Sequence, residues 1–556
     1  MVHSLAPKIA LVSIGILSLV FALVSCSGSG GGEEENTMTS NFPPVVFSAD
    51  KDSDGTVELY ASFSDGTEII KLSGTMVAGG NVVDFKVSPD GIYVAYVADQ
   101  DTNNVFELYV VPVDKAAGET AVKISGPMAG NGLKEVAALS GDYFFAWAPD
   151  SSRVAYIADQ NTANVFELFT STPDGSDNVQ VSGALVFGGD VLDFEWEPAS
   201  SLIAYVADQD TDNKQELYVS PADSDTPNIL VSGTGMAGTG IKLISEGVYS
   251  FAWAPDSARL AYIADQRTAD DFELFTNLPN GSDNVRVSGN MVSGGDVDAF
   301  AWSPQSDRIA YRADQNIDNA LELYTASPSI LSFQRITSGF SSGQNVVQFA
   351  WSPTIINSEQ RIAFIADKNI TGVFQLYTTS PNNSNNVLVS NVAPPLGGDV
   401  QEFAWAPDGV LLAYRGDTRI DEVDELFTTG RSLPEINRVS FLVASGGDVL
   451  NFAWAPNGSR LAYRADQLTD NVFELFTNTP KGGQVTNVRI SGGLAPGGDV
   501  TEFQWAPDSS GVGYIADQNT DEVFELFASL PAGGDNTLLS GSLVNGGDVS
   551  AFEWVP

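Results

Sequence analysis

The sequence predicts an all-β fold, a β-propeller of about ten four-stranded antiparallel blades, from three observations. One stretch, typified by 452–476 (FAWAPNGSRLAYRADQLTDNVFELF), recurs along the chain, and neighbouring copies lie 49 to 60 residues apart. Each copy divides into four short β-type runs with turn residues between them, as a propeller blade requires. The two ends of the chain carry complementary parts of one copy. Such a period indicates one supersecondary unit that is copied many times.

The tryptophans mark one position of this repeat. Val87 takes that position in a tenth copy. Large aromatic side chains at one place in every blade are typical of the core between blades, and a sugar-stacking platform is the alternative. The nine tryptophans are Trp147, Trp196, Trp253, Trp302, Trp351, Trp405, Trp454, Trp505 and Trp554.

The unit around Trp454 shows the four strands, which we label a to d. A Pro-Asn-Gly turn at 456–458 suits a tight hairpin between strands a and b. The polar stretch 466–471 separates strand b from strand c, which is β-branched and aromatic as strands prefer. We therefore expect strand a at 448–454, strand b at 460–465, strand c at 472–476 and strand d at 487–490.

The ends of the chain predict closure into a ring. The repeats open at strand b of one unit, 45–50, and finish after a lone strand a, 552–556. Pairing the two completes a blade and removes the sheet edges that an open array leaves exposed. Two five-bladed propellers have the same period and are the alternative, and an open solenoid is third. Ten strand-b ends set the count: Asp50, Asp99, Asp159, Asp208, Asp265, Asp314, Asp367, Asp417, Asp466 and Asp517.

Composition limits the chemistry. The chain has 556 residues and a formal net charge of −45, from 71 acidic and 26 basic side chains. This charge argues against nucleic acid, whose phosphates need Lys and Arg, and favours cations, basic partners or simple solubility. Cys26 is the only cysteine and His3 the only histidine. A mature chain from Cys26 therefore has no Ser-His-Asp or Cys-His nucleophile, histidine metal site or disulfide, and we expect no enzyme.

Residues 1–25 are predicted to be a lipoprotein signal peptide. Lys8 precedes an apolar run from Ile9 to Val24, which is short for a transmembrane helix. The four residues that end at Cys26, Leu-Val-Ser-Cys, resemble a bacterial lipobox, which implies that Cys26 is lipidated. An ordinary signal peptide and an uncleaved anchor are the alternatives.

Residues 26–42 are predicted to be the lipidated cysteine and a flexible Gly/Ser/Glu tether, and 43–556 the propeller repeats. Ser27, rather than an aspartate, follows the cysteine. By the same resemblance this residue points to the outer membrane of a bacterial cell envelope, with the membrane reached through the lipid anchor alone.

The repeat resembles the TolB-type, or WD40-like (PD40), propeller family. The matching residues are Val87-Ser88-Pro89-Asp90-Gly91, then Val94 to Asp99, then Glu107-Leu108-Tyr109. The resemblance covers 43–556 and implies the fold more than a function. TolB carries an additional α/β domain before its propeller, so its partner binding is not carried over. The hydrolase domain of related peptidases and the histidine ligands of related lyases have no counterpart in this sequence.

Two sets of acidic loops are expected to share one face of the ring, because b–c and d–a connections leave an up-and-down blade on the same side. Strong negative charge there favours a basic envelope or extracellular protein as partner. The d–a loops carry Gly-Gly-Asp with Asp190, Asp296, Asp399, Asp448, Asp499 and Asp548.

Three b–c turns approach the start of a calcium loop, in which alternate oxygen ligands surround a hard cation. The turn with Asp99, Asp101, Asn103 and Glu107 matches less well than the other two. The first set is Asp50, Asp52, Asp54 and Glu58, and the second is Asp208, Asp210, Asp212 and Glu216. Calcium is therefore a candidate cofactor. The alternative is that Asp and Asn cap hairpin turns by bonding to their own backbone.

Two longer d–a loops, 130–143 and 238–249, resemble each other and are expected to bring Lys134 and Lys242 to the acidic face as a partner site. The strand-c glutamates recur in many near-equivalent copies, which does not single out an acid/base pair, and a solvent-facing or inter-blade position is expected. The sequence thus favours a non-catalytic binding or scaffolding module. A calcium-dependent carbohydrate- or matrix-binding propeller is second, and a carboxylate-only glycan-active enzyme is third.

Overall fold

Ten four-stranded antiparallel sheets, each a meander, follow one another along the chain. The computed structural model describes residues 42–63, 65–136, 143–233, 238–245, 248–382, 386–390, 397–441, 446–534 and 536–556. These residues form strands and turns and no helix. The predicted signal peptide, Cys26 and the tether up to residue 41 lie outside the described ranges.

The strands of the first five blades have the following bounds in the order a, b, c, d. Blade 1 has Val549–Trp554, Val45–Ala49, Glu58–Phe63 and Glu68–Lys71; blade 2 has Val82–Val87, Tyr93–Ala98, Glu107–Pro112 and Val122–Lys123. Blade 3 has Phe145–Trp147, Val154–Thr162, Val165–Ser171 and Asn178–Gln180; blade 4 has Val191–Trp196, Leu202–Ala207, Glu216–Pro221 and Ile229–Leu230. Blade 5 has Phe251–Trp253, Leu260–Ala264, Glu273–Asn277 and Val285–Arg286, preceded by a small hairpin, Leu243–Ser245 and Val248–Tyr249.

The other five blades follow the same order. Blade 6 has Val297–Trp302, Ile309–Ala313, Glu322–Ala326 and Phe333–Arg335; blade 7 has Val346–Trp351, Ile362–Ala366, Gln375–Thr379 and Val387–Leu388. Blade 8 has Val400–Trp405, Leu411–Gly416, Glu425–Gly430 and Asn437–Arg438; blade 9 has Val449–Trp454, Leu461–Ala465, Glu474–Asn478 and Val488–Arg489. Blade 10 has Val500–Trp505, Val512–Ala516, Glu525–Ser529 and Asn536–Leu538.

Blade 1 is completed by the two ends of the repeat region, as the sequence predicts. Its strand a pairs antiparallel with its strand b, with Trp554 opposite Val45 and Phe552 opposite Phe47. The Val555 amide also donates to the Pro44 carbonyl oxygen over 2.9 Å. Closure thus pairs backbone groups that an open array would leave unpaired at a sheet edge.

The indole bonds show that the blades form one ring. Each tryptophan donates its indole N–H to a strand-a carbonyl of the preceding blade, over 2.9–3.3 Å. At the tenth interface, where Val87 replaces tryptophan, the Glu553 carboxylate instead accepts from the Val87 amide over 2.8 Å. Every interface therefore joins consecutive blades, which gives one ten-bladed ring and not two five-bladed ones. Because the a strands of neighbouring blades contact each other directly, these strands form the inner wall of the ring.

The hydrophobic core is divided among the interfaces between blades. In strand b of blade 9, Leu461 and Tyr463 pack toward blade 8, whereas Ala462 packs toward blade 10. Both faces of the strand are buried because each blade is covered on both sides. Within each blade, one aromatic ring of strand b stacks on one of strand c, with centroids 5.1–5.8 Å apart. The tryptophans are thus part of the inter-blade packing, as predicted.

Candidate interaction surface

The aspartate that ends strand b is a structural bridge in each blade. In blade 4, Asp208 accepts the Asp190 amide on Oδ1 over 2.6 Å and the Asn213 amide on Oδ2 over 2.9 Å. The carboxylate therefore ties the start of strand a to the b–c turn. Such bonds supply acceptors to backbone N–H groups that the loops leave unpaired.

The same pair of contacts recurs around the ring. The turn residue five positions after the aspartate always has a positive φ, between 57° and 77°. Asn tolerates this left-handed conformation better than most residues, which explains its frequency there. The turn residues are Gly55, Asn104, Asn164, Asn213, Asp270, Asn319, Gly372, Glu422, Asn471 and Glu522.

The aspartates of the Gly-Gly-Asp loops bridge neighbouring blades. Asp190 accepts the amide of Phe166, which lies in strand c of the preceding blade, over 2.8 Å. Its carboxyl is half-buried, and burial raises its pKa. Asp296, Asp399, Asp448, Asp499 and Asp548 make the corresponding bond, and Asn81 and Asn345 make it in two further blades.

Backbone carbonyls take over this role at the two longer loops. The carbonyl oxygens of Asn131 and Thr239 accept from the amides of Phe106 and Gln215, over 2.8 and 2.9 Å. In these blades strand a is shortened to three residues, because the inserted segment interrupts it. Residues 137–142 and 246–247 of the insertions lie outside the described ranges.

Lys134 and Lys242 lie within the fold. Each ammonium donates to a carbonyl of the next blade over 2.9 Å, that of Val191 and that of Val297 respectively. Burial lowers the pKa of Lys134. The sequence predicts these lysines at a partner site on the acidic face, and that role stays a prediction; in the structure each ammonium contacts the following strand a.

Three arginines on the inner wall also donate hydrogen bonds to the next blade. Arg312, Arg415 and Arg464 are each the penultimate residue of a strand b, within the sequence Tyr-Arg-(Ala/Gly)-Asp. Each donates a hydrogen bond to a carbonyl at the start of the next strand a. No motif in the sequence singles them out. The available signal is a charged residue where most copies carry Val or Ile.

Exposed carboxylates lie on the a–b and c–d turns of one rim, such as Asp150 and Asp174, and on the b–c turns of the other. The b–c turns touch the d–a loops of the same blade: a Cβ added at Gly188 would lie 3.0 Å from Asp212 Oδ1. The two exposed arginines of these turns, Arg267 and Arg419, pair with strand-c glutamates. We call this the acidic rim, and its exposed acids are Asp52, Asp54, Asp101, Asp210, Asp212, Asp270, Asp318, Asp421, Glu422, Asp470, Asp521 and Glu522.

The two predicted calcium sets do not gather into metal centres. Asp50 bridges the amides of Gly55 and Asp548, and the buried Glu58 pairs with Lys71. In the second set, Asp208 is a bridge and Glu216 accepts from the Tyr218 hydroxyl over 3.1 Å.

Across the described residues, no three His, Cys, Asp or Glu side chains are placed to hold a metal ion. The reason is that the first and last carboxylates of each set bond to donors of this chain. Calcium binding by these loops stays a prediction.

The strand-c glutamates bond to groups of their own blade and all of them except Glu167 are buried, so they are not solvent-facing or inter-blade as expected. Glu273 contacts Arg267 and Arg286, and Glu425 contacts Arg419 and Arg438. In each blade, one arginine lies on the b–c turn and the other in strand d, so the two ion pairs link strand c to both. The arrangement accounts for their recurrence without acid/base chemistry.

The strand order and the pairing that closes the ring define the class of this protein, a ten-bladed β-propeller. No protein-family model and no curated protein matches the chain. No helix in the described ranges is long and apolar enough to cross a membrane.

The chain is weakly similar to solved structures, of which three are given. A eukaryotic initiation factor has 11% identity over 93% of this chain and 99% of its own, with a TM-score of 0.47. Dipeptidyl peptidase 4 of Porphyromonas gingivalis has 12% identity over 78% of this chain and 64% of its own, with a TM-score of 0.45. A protein assigned as TolB from Agrobacterium tumefaciens has 12% identity over 53% of this chain and 87% of its own, with a TM-score of 0.28. Similarity at this level transfers no function.

Proposed function

We propose that this β-propeller is a lipid-anchored, non-catalytic protein-binding module of the bacterial cell envelope, which binds a basic partner through the acidic rim. The observation that carries the proposal is a division among the acids. The strand-b and Gly-Gly-Asp aspartates bond to backbone N–H groups, while the acids of the b–c turns face solvent.

The charge of the rim suits fast capture of a basic protein. Fields of many like charges on one face add, and they raise association rates in a salt-dependent manner. The formal net charge of −45 acts in the same direction. The pairing of the strand-c glutamates within their blades supports a non-catalytic role.

The anchor is tested through Cys26. We expect that Cys26→Ser leaves the protein in the soluble fraction and stops incorporation of a labelled fatty acid. The outer membrane is the expected location of the wild-type chain, measured by separating the two membranes on a density gradient. Labelling of the serine variant would contradict the lipid anchor.

The acidic rim is tested with two matched sets of Asp→Asn changes. The rim set is Asp54, Asp212, Asp318, Asp470 and Asp521, where blade 2 naturally carries Asn103. The control set lies on exposed a–b turns of the opposite rim, where blade 9 naturally carries Asn457: Asp90, Asp150, Asp256, Asp408 and Asp508. Both sets remove the same charge with the same chemistry.

We expect the rim set to lose partners captured from the native envelope, in a pull-down whose yield falls with salt. The control set should capture them as the wild type does. Equal capture by both variants, or equal loss in both, would overturn the proposed role of the rim.

A further inference from the structure

A cavity of about 330 Å³ lies on the inner wall between blade 10 and blade 1. Its volume is at the lower end of the range for small-molecule sites, about 300–1,000 Å³. Three of its lining residues are exposed, so the cavity is open to solvent. The lining residues are Thr501, Glu502, Ile515, Phe524, Val549 and Ser550.

The corresponding place in blade 8 holds an arginine of the chain itself. Glu402 is the third residue of its strand a and lies opposite Arg415 of strand b, as Glu502 lies opposite Ile515. In blade 8 the Arg415 Nε donates to Glu402 Oε1 over 2.9 Å. Blade 10 thus has the carboxylate of this pair and lacks the guanidinium.

Carbonyl oxygens of the next blade complete the site. Arg312 donates to the carbonyls of Val346 and Val347 over 3.1 and 2.7 Å, and Arg464 donates to the first two carbonyls of its next strand a. The same two positions after blade 10 are Val549 and Ser550, which line the cavity. The Val549 amide bonds to the Phe524 carbonyl over 2.8 Å, so this backbone is fixed.

Ile515 has no donor for these acceptors. The positive charge of Arg464 in blade 9 acts on the Glu502 carboxylate, but within the part of the chain that the structure describes this carboxylate forms no ion pair within 4.0 Å. Its counterpart Glu402 pairs with Arg415. The wall therefore presents a carboxylate and two backbone carbonyls, which are acceptors for a forked cation.

We propose that this cavity binds a guanidinium group, supplied by an arginine side chain of a partner segment that enters the ring. The partner's identity rests on the proposed function, whereas the guanidinium site does not. Arginine is favoured over lysine because its planar fork donates to several acceptors at once, as Arg312, Arg415 and Arg464 do here.

The test uses N-acetyl-arginine amide as the probe and the neutral N-acetyl-citrulline amide as its isostere. Binding to the full-length protein is measured by calorimetry at low salt. We expect the arginine probe to bind at least ten times more tightly than the citrulline probe. Glu502→Gln should weaken arginine binding at least tenfold, while Glu522→Gln, which removes an exposed charge of the same blade, should change it less than twofold.

Ile515→Arg recreates the arrangement of blade 8. We expect this variant to keep the wild-type melting temperature or exceed it, and to lose binding of the arginine probe. Equal affinity for the two probes, equal loss in the Gln variants, or full binding by a folded Ile515→Arg protein would each overturn the proposal. The Asp→Asn rim set should keep the arginine affinity within twofold, so failure of the rim and failure of this site are distinguishable.

Discussion

At the scale of single residues, aspartates only four positions apart have different roles. Asp517 at the end of strand b accepts the amides of Asp499 and Glu522, over 2.5 and 3.2 Å, and is buried. Asp521 in the following turn is exposed. Burial and backbone donors, not residue type, separate the structural carboxylates from those available to a partner.

Substitution of the bridging carboxylate should therefore lower stability. We expect Asp517→Ala to reduce the free energy of unfolding by about 2–4 kcal/mol, since a backbone donor left without an acceptor costs about 1–3 kcal/mol. Asp521→Ala should change it by less than about 0.5 kcal/mol, as exposed substitutions do. Chemical denaturation of both variants measures the difference, and equal effects would contradict the bridge.

Glu195 on the inner wall provides a pH-dependent contribution. Its Oε2 accepts the Trp253 amide over 3.1 Å, and burial raises its pKa to about 8. Because the folded-state pKa exceeds the ordinary value, the folded state binds the proton more tightly. The stability from this group is therefore fully present below about pH 4.5 and is lost as pH rises through the folded pKa, near 8.

We expect Glu195→Gln to keep the hydrogen bond and remove this loss. At pH 9 the variant should be more stable than the wild type by up to about 5 kcal/mol, since each pKa unit corresponds to about 1.4 kcal/mol. At pH 5 the two proteins should differ little. Thermal unfolding across this pH range, with the exposed Glu435→Gln as control, measures the effect; parallel pH profiles would disprove it.

At the scale of elements, the two inserted loops interrupt strand a and replace part of its contacts. In blade 5, strand a keeps only Phe251–Trp253, and Lys242 reaches the Val297 carbonyl of blade 6. The lysine also lies 3.5 Å from Asp296 and over the Phe272 ring. The inserted loop therefore contributes a contact that links blade 5 to blade 6.

Lys242→Met keeps the apolar stem and removes the charge. We expect it to lower the free energy of unfolding by about 1–2 kcal/mol, as a lost hydrogen bond from a charged group does, and to leave partner capture unchanged. The exposed Lys481→Met is the matched control. Loss of capture without loss of stability would instead support the surface role that the sequence predicts for this lysine.

At the scale of the whole molecule, the described residues place the apolar core at ten similar interfaces between blades. Each interface combines an apolar cluster, a bond from strand a to its neighbour and a bridge from the d–a loop. Closure through Val45–Ala49 and Val549–Trp554 makes the last interface equivalent to the others. Each blade therefore depends on both neighbours, as in other repeat proteins.

The ring as a whole should not require calcium. Its loop carboxylates bond to backbone N–H groups, and the described residues include no gathered set of metal ligands. We expect excess EGTA to leave the melting temperature unchanged within about 1 °C, because a ligand stabilises only the state that it binds. A fall that added calcium reverses would support the calcium-loop hypothesis.

Much of this fold could be predicted from the sequence because its signals are local. The position of Trp454, the strand alternation and the turn residues are set within one unit of about fifty residues. The strand patterns at 45–50 and at 552–556 are also local, because each can be recognised within its own segment. These features depend on hydrogen bonding and side-chain alternation along a few neighbouring residues.

Only the tertiary structure determined the features that depend on contacts with the next blade. One ring rather than two, the bridging role of Asp190, the inward course of Lys134 and the cavity beside Glu502 all arise from contacts between neighbouring blades, as between Phe166 and Asp190 or between Lys134 and Val191. The angle at which blades pack determines these contacts, and that angle is a property of whole interfaces. A single repeat, read alone, therefore contains the blade but not the arrangement of charges around the ring.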